Sequence, residues 1–260
     1  MLTARRRQEA AELLRSAEYG RTPVPPLTET FPGIDTEDAY EIQLLNIGRR
    51  TAAGATVTGH KVGLSSPVMQ RMMGVDEPDY GHLLDDMALD SARPVPAARY
   101  CAPRVEVEIG FVLGDDLPGE GCTAADVLAA TERVVPALEL IDSRVRDWRI
   151  AIADTIADNA SSAGYVTGEG RDPRALDLKA VEARLTGGGE LLAEGRGDAV
   201  LTDPAEAVAW LARTVARFRV PLRKGHLVLP GSCTRAVDVT AGRTYTAEFT
   251  GLGSVSLTFC

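Results

Sequence analysis

The stretch "RVEVEIGFVLG", Arg104 to Gly114, sets two glutamates into a segment otherwise patterned as a strand. Period-two alternation sends Val105, Val107, Ile109 and Phe111 to one face and Glu106 and Glu108 to the other. Two readings account for the pair: a solvated strand face, or part of a metal site. Glu139 stands inside the apolar run "VVPALELID", where an isolated ionised carboxylate is costly to bury. It either lies on an exposed face or has a cationic partner. Lys61, in "GHKVGLSS", is open to the same two readings: a surface lysine on a turn, or a buried cation facing a charge. As a chemical set, the three glutamates are hard oxygen donors that suit Mg²⁺ or Mn²⁺ rather than zinc. A divalent ion among three carboxylates leaves one net negative charge, which Lys61 would neutralise. The usual nucleophilic signatures are missing. There is no G-x-S-x-G elbow and no HExxH, and His60, His82 and His226 follow no useful spacing.

The elements that must position these groups can be read in order. Thr3 caps a helix to about Tyr19, and the connector "TPVPPL" leads to a second helix started by Asp35 or Thr36. "VTGHKVGLSS" reads as a strand and turn, and Ser66 with Pro67 starts a short helix that Gly74 ends. Beyond Pro94 strands predominate. Thr123 with Asp126 opens a helix as a capping box. Asp203-Pro204 starts another, with Val208, Leu211, Val215 and Phe218 on one stripe. From His226 onward, β-formers alternate with glycine turns, as in successive antiparallel strands. "TGGGE" is a turn and not a phosphate loop, because no strand and helix flank it in the required order.

Composition bounds the function. The chain has 260 residues, 45% hydrophobic and 25% charged, as expected of a soluble globular protein. Its net charge of −9 argues against nucleic acid or an anionic membrane as partner. Cys101, Cys122, Cys233 and Cys260 are scattered and read as reduced thiols. The basic N-terminus lacks an apolar core, and no apolar run reaches membrane-spanning length, so no signal peptide, no membrane span and a cytoplasmic location are expected.

Four segments carry a resemblance. "GHKVGLSSPVMQRMMGVDEPDYGHLLDDM", "RVEVEIGFVLG", "PALELIDSRVRDWRIAIADTIADNASSAGYVTG" and "GLGSVSLTF" resemble the 2-keto-4-pentenoate hydratases and the 2-oxo-3-hexenedioate (4-oxalocrotonate) decarboxylases. These belong to the fumarylacetoacetate hydrolase superfamily, and the likeness covers nearly the whole chain. It implies an α+β fold, a mixed β-roll with an N-terminal helical part, and a homo-oligomer. The expected division is a mainly helical part over residues 1–75 and a β-rich catalytic domain over 76–260. Carried over position by position, the metal ligands fall on Glu106, Glu108 and Glu139. The lysine of G-x-K-V-G falls on Lys61, the aspartate of the "GVD-x-P-D-[YF]-G" motif on Asp79, and the serine of "DNAS" on Ser161. The chain departs from the family's pattern at "LPGSC", Pro230 to Cys233, where hydratases often read "LTGAL", and at the variable position His82.

The implied reaction is metal-dependent hydration of a 2-hydroxy-2,4-dienoate to a 4-hydroxy-2-oxoacid. Lys61 is the expected proton shuttle, with Asp79 orienting water or Lys61. Decarboxylation of 2-oxo-3-hexenedioate is the alternative. Decarboxylases carry an arginine just after the "DNAS" serine, where this chain has Ser162-Ala163-Gly164, and this favours the hydratase. Arg235 bears on the choice: pointing into the pocket it would suit a dicarboxylate, and otherwise it is a solvated arginine at the start of a strand.

Overall fold

The computed structural model describes residues 1–66, 70, 71, 75 and 77–260. The helix expected from Ser66 to Gly74 falls for the most part outside the described residues, of which Gln70 and Arg71 are helical.

Helix α1 (Ala4–Gly20) begins at Thr3, whose hydroxyl accepts the Arg6 N–H. After α2 (Leu27–Thr30), α3 (Thr36–Ala52) begins at Asp35, whose carboxylate accepts the Asp38 N–H at 2.8 Å. Each cap satisfies an otherwise orphaned donor and contributes about 1 kcal/mol. Glu37 and Asp38 in the first turn of α3, with Arg49 and Arg50 in the last, complement the helix dipole. Leu14, Tyr40 and Ile42 join the same apolar core as Val105, Val107 and Phe111, so the helices and the sheet bury one another.

The rest is mostly strands: β1 (Val57–Gly63), β2 (Asp79–Leu84), β3 (Pro103–Leu113), then α4 (Ala124–Ala130) and β4 (Thr131–Asp142). They are followed by α5 (Ile152–Ala157), β5 (Ser162–Thr167), β6 (Glu182–Gly187), β7 (Glu190–Arg196) and α6 (Pro204–Ala216). β8 (Leu227–Leu229), β9 (Val237–Asp238), β10 (Thr244–Phe249) and β11 (Gly253–Thr258) complete the chain. The larger sheet runs β2-β1-β8-β3-β4-β5, with β9 added to β3, and the smaller runs β11-β10-β6-β7. The larger sheet is mixed because β1 and β8 are parallel while its other pairs are antiparallel. This is the α+β architecture expected, and β1 lies inside the sheet, between β2 and β8.

Thr123 and Asp126 form the expected capping box on α4, and Asp203 caps α6. Helix α6 ends at Ala216, so Phe218 lies beyond the stripe assigned to it and packs on Tyr40, with ring centroids 4.0 Å apart. "TGGGE" turns β6 into β7, with Gly188 and Gly189 at positive φ. None of the described helices is long and apolar enough to cross a membrane.

The β3–β4 pair separates two apolar clusters. Val105, Val107, Ile109 and Phe111 face the main core. Val135 and Ala137, on the opposite face, pack with Leu227 and Leu229 in a smaller cluster. By alternation, Glu106, Glu108 and Glu139 share that second face.

Candidate active site

The β3–β4 register makes Glu106 and Glu139 direct cross-strand partners and sets Glu108 opposite Ala137. One carboxylate oxygen from each glutamate lies within 4.8 Å of the others. Glu108 and Glu139 are completely buried and Glu106 is partly accessible, so the solvated-face reading fails for the first two. Like charges directly opposite one another on paired strands repel. Burial, the largest cause, pushes all three carboxyls up, Glu106 to about 7 and Glu108 well above the ordinary range. Mutual repulsion adds to this at Glu106 and Glu108, while Lys61 opposes it throughout.

Only half of the buried oxygens are satisfied. Glu108 Oε2 accepts the Gly231 N–H at 2.7 Å, and Glu139 Oε1 accepts from Ser162 Oγ at 2.8 Å. Glu108 Oε1 and Glu139 Oε2 have no hydrogen-bond partner among the described residues. Anionic oxygens without a hydrogen-bond donor, converging beside a third carboxylate, fit a hard divalent cation.

Lys61 projects from β1 toward this cluster, with Nζ 3.4 Å from Glu139 Oε2, and its side chain is 2% exposed. It also donates to the Ala160 carbonyl at 3.0 Å. Burial pulls its basicity down, but Glu139, Asp79, Glu106 and Glu108 outweigh burial and hold the ammonium above its ordinary value. Asp79 is the cross-strand partner of Gly63, and its Oδ2 accepts from Thr155 Oγ1 at 2.5 Å. Asp79 Oδ1 is buried and unpartnered. The motif's two glycines now have causes. A Cβ on Gly63 would run into Asp79 Oδ1 and stand 3.1 Å from Lys61 Nζ, so a side chain there would wedge the pair apart. A Cβ on Gly59 would collide with the Leu227 carbonyl of the adjacent β8.

After α5 the backbone passes through three left-handed residues, Asn159 (φ 54°), Ala160 (51°) and Ser161 (55°), before entering β5. Ala160 supplies the acceptor for Lys61, and Ser162 holds Glu139. Ser161, the serine singled out from sequence, lies between them with its hydroxyl buried and unpartnered. The structure therefore gathers Lys61, Asp79, Glu106, Glu108 and Glu139 around one centre, with Ser161 in the loop against it. Sequence reasoning missed Ser162, Thr155 and Gly231. Gly231 alone had a signal: a Pro-Gly turn, here at φ 120°, where a Cβ would collide with Ser65 Oγ.

The two departures resolve differently. In "LPGSC", Gly231 serves Glu108, while Ser232 Oγ engages the Val107 N–H at 3.1 Å and Cys233 is buried in the main core. Arg235 is exposed and donates to the Leu192 carbonyl on β7, as a solvated arginine. His82 sits on the face of β2 opposite Asp79. Its Nδ1 pairs with Gln43 Oε1 at 2.8 Å and its ring packs against His60 at a tilt, with centroids 4.8 Å apart. His226 also approaches His60, with centroids 5.5 Å apart, so the three histidines, scattered in sequence, form one cluster.

Known proteins share this arrangement's framework. The chain is 46% identical over 259 residues to a 2-keto-4-pentenoate hydratase of Paraburkholderia xenovorans (strain LB400), covering 99% of this chain and 96% of that relative. It is 43% identical over 255 residues to a 2-hydroxyhexa-2,4-dienoate hydratase of Comamonas testosteroni, covering 97% and 95%. The 4-oxalocrotonate decarboxylase from Pseudomonas putida G7, solved with magnesium and adipate, superposes with a TM-score of 0.95 at 34% identity, covering 100% of this chain and 99% of that one. The family described as fumarylacetoacetate (FAA) hydrolase C-terminal matches residues 73–259. With most of its length inside that match and close relatives along all of it, the chain belongs to the FAA hydrolase C-terminal family.

Proposed function

We propose that the protein is a metal-dependent hydro-lyase that adds water to a 2-hydroxy-2,4-dienoate of the 2-hydroxypentadienoate type, giving a 4-hydroxy-2-oxoacid. One observation carries this reading: a chain with full-length likeness to hydratases also buries three glutamates and a lysine in one cluster with unpartnered oxygens. Glu106, Glu108 and Glu139 would hold Mg²⁺ (or Mn²⁺). When bound, the ion supplies Lewis-acid stabilisation of charge at the substrate's carboxylate and C2 oxygen.

The chain's own groups move the protons. Lys61, held charged, is the donor, and the unpartnered Asp79 Oδ1 is the acceptor. Asp79 takes the 2-hydroxyl proton while Lys61 protonates C5, giving a 2-oxo-3-enoate with an electrophilic C4. Water then adds at C4 as the neutral Lys61 amine takes its proton and the Asp79 carboxyl protonates C3. Both groups return to their starting states, and the net change is one water added. Ser161 Oγ, buried and unpartnered, is available to orient substrate or water.

A second reading, decarboxylation of 2-oxo-3-hexenedioate, is favoured by the likeness to the decarboxylase structure. It needs a cation for the distal carboxylate, and neither Ser162-Ala163-Gly164 nor the outward Arg235 provides one. The test is to incubate the protein and Mg²⁺ with 2-hydroxypentadienoate and separately with 2-oxo-3-hexenedioate. Both consume the dienol chromophore, so products decide. Stoichiometric 4-hydroxy-2-oxoacid without CO₂ supports hydration, and CO₂ release outpacing hydration overturns it. The homo-oligomer implied by the resemblance belongs to the same proposal, and sedimentation analysis tests it.

A further inference from the structure

β2 is an edge strand of the larger sheet. Against its free edge lies the side chain of Asn159, whose Oδ1 accepts the His82 N–H at 2.8 Å and whose Nδ2 donates to the His82 carbonyl at 2.9 Å. One amide side chain thus makes both hydrogen bonds that a neighbouring strand's peptide would make. The contact is close. A Cβ on Gly81 would stand 2.5 Å from the Asn159 carbonyl oxygen and 3.0 Å from Asn159 Oδ1, so glycine is required beneath it.

What this clamp holds is the left-handed run. Three consecutive non-glycine residues in that region are each disfavoured by roughly 1–2 kcal/mol, and they persist only where the surroundings over-determine them. The run aims three groups at the charged centre: the Ala160 carbonyl at Lys61 Nζ, the unpartnered Ser161 hydroxyl, and Ser162 Oγ at Glu139. β2 itself carries Asp79 two residues before Gly81. The clamp therefore fixes the acceptor of Lys61 relative to Asp79.

We propose that Asn159 is a positioning residue for the reaction: its amide, docked on the edge of β2, sets the place of Lys61 through the Ala160 carbonyl. The inference rests on the proton-transfer role given to Lys61 above. Asn159→Gly separates the amide from the backbone, because glycine keeps the left-handed conformation at no steric cost and loses both hydrogen bonds. Its kcat is expected to fall about 10–100-fold, less than the roughly 10²–10⁴-fold that the proton-transfer group itself contributes, with KM and Mg²⁺ affinity within about threefold. A second readout does not depend on catalysis. The chain has three lysines, Lys61, Lys179 and Lys224, so ¹³Cε-lysine NMR observes Lys61 directly. Its resonance should move in Asn159→Gly while those of Lys179 and Lys224 stay. Should that variant not fold, Asn159→Asp, which keeps the size and the bond from the His82 N–H, is read the same way. An unmoved Lys61 resonance, or a kcat within twofold of the parent, overturns the proposal. If the parent turns over neither dienoate, the functional reading has failed and the NMR shift alone decides whether Asn159 positions Lys61.

Discussion

The two faces of the β1–β2 pair both bury polar side chains, His60 and Lys61 being adjacent in sequence, and treat them in opposite ways. On one face stand Lys61 and Asp79, charged, against the three glutamates. On the other, His60 and His82 are cross-strand partners packed ring to ring beside Tyr40, His226 and Phe218. Burial is the largest cause on both faces but acts in opposite senses. It pushes the glutamate carboxyls up toward protonation, and it pushes His60 well below its ordinary value and His82 down to about 4. On each face burial disfavours the charged form of the acids or imidazoles, and only the carboxylate face has a buried cation to oppose it. The difference is that the carboxylate face has a lysine and buried oxygens without a hydrogen-bond donor, while the imidazole face is closed by apolar and aromatic packing. One face can do chemistry. The other fills space.

The largest expected effect breaks the charged face alone. Lys61→Ala should lower kcat by about 10²–10⁴ while Mg²⁺ affinity, measured by calorimetry, changes little. A variant retaining more than about a tenth of the parental rate removes Lys61 from the mechanism. Next, Glu106→Gln should weaken Mg²⁺ binding by at least about tenfold, since even groups behind metal ligands are worth 10–100-fold. The fold should survive, because Glu106 is partly accessible. Undiminished Mg²⁺ binding would refute its assignment as a ligand.

Strand alternation made Glu106 and Glu108 legible as a pair, because it is a local property of eleven residues. That Glu139 stands directly opposite Glu106 depends on the β3–β4 register, which joins segments some thirty residues apart and has no local sign. Lys61 reads as a turn lysine unless β8, far along the chain, is known to lie parallel beside β1. Ser161 and Ser162 show the limit most clearly. A run of left-handed residues decides which of two adjacent serines bonds Glu139, and Asn-Ala-Ser does not announce such a run. The histidine cluster was invisible for the same reason as the carboxylate triad: spacing in sequence says nothing about neighbours across strands.

The opposite senses of the two faces predict opposite slopes of stability with pH. A carboxyl whose folded-state pKa is raised leaves the folded protein holding more protons than the unfolded chain. Its contribution is complete below the unfolded value near 4.5 and is lost as pH rises through the folded one, about 7 for Glu106. A histidine held low does the reverse: stability rises with pH from about 4, the value for His82, to the unfolded value near 6.5. In EDTA, Glu106→Gln should therefore lose less stability than the parent between pH 5 and 7.5, within a span of about 1.4 kcal/mol for each pH unit and proton. Saturating Mg²⁺, which requires the carboxylates ionised, should reverse the parent's slope. Identical slopes for parent and variant in EDTA would mean that Glu106 does not titrate in this range.

The smallest effect belongs to the imidazole face. His60 is 1% exposed and neither ring nitrogen has a hydrogen-bond partner among the described residues. An unsatisfied buried group of this kind costs about 1–3 kcal/mol, offset in part by roughly 0.5–1.5 kcal/mol for packing against aromatic neighbours. His60→Leu removes the unsatisfied nitrogens while keeping an apolar body of similar size. With Mg²⁺ bound, so that the glutamates do not titrate, Tm at pH 7 should rise by about 2–4 °C, the shift that 1 kcal/mol produces in a domain approaching this size. The gain should widen as pH falls below 6.5, where the parent must keep His60 neutral and the variant need not. Turnover should stay within about threefold of the parent, although Lys61 is the next residue, because the two side chains leave β1 on opposite faces. A drop in kcat comparable to that of Lys61→Ala, without loss of folded protein, would show that the imidazole cluster communicates with the charged face and that the separation of the two faces is wrong.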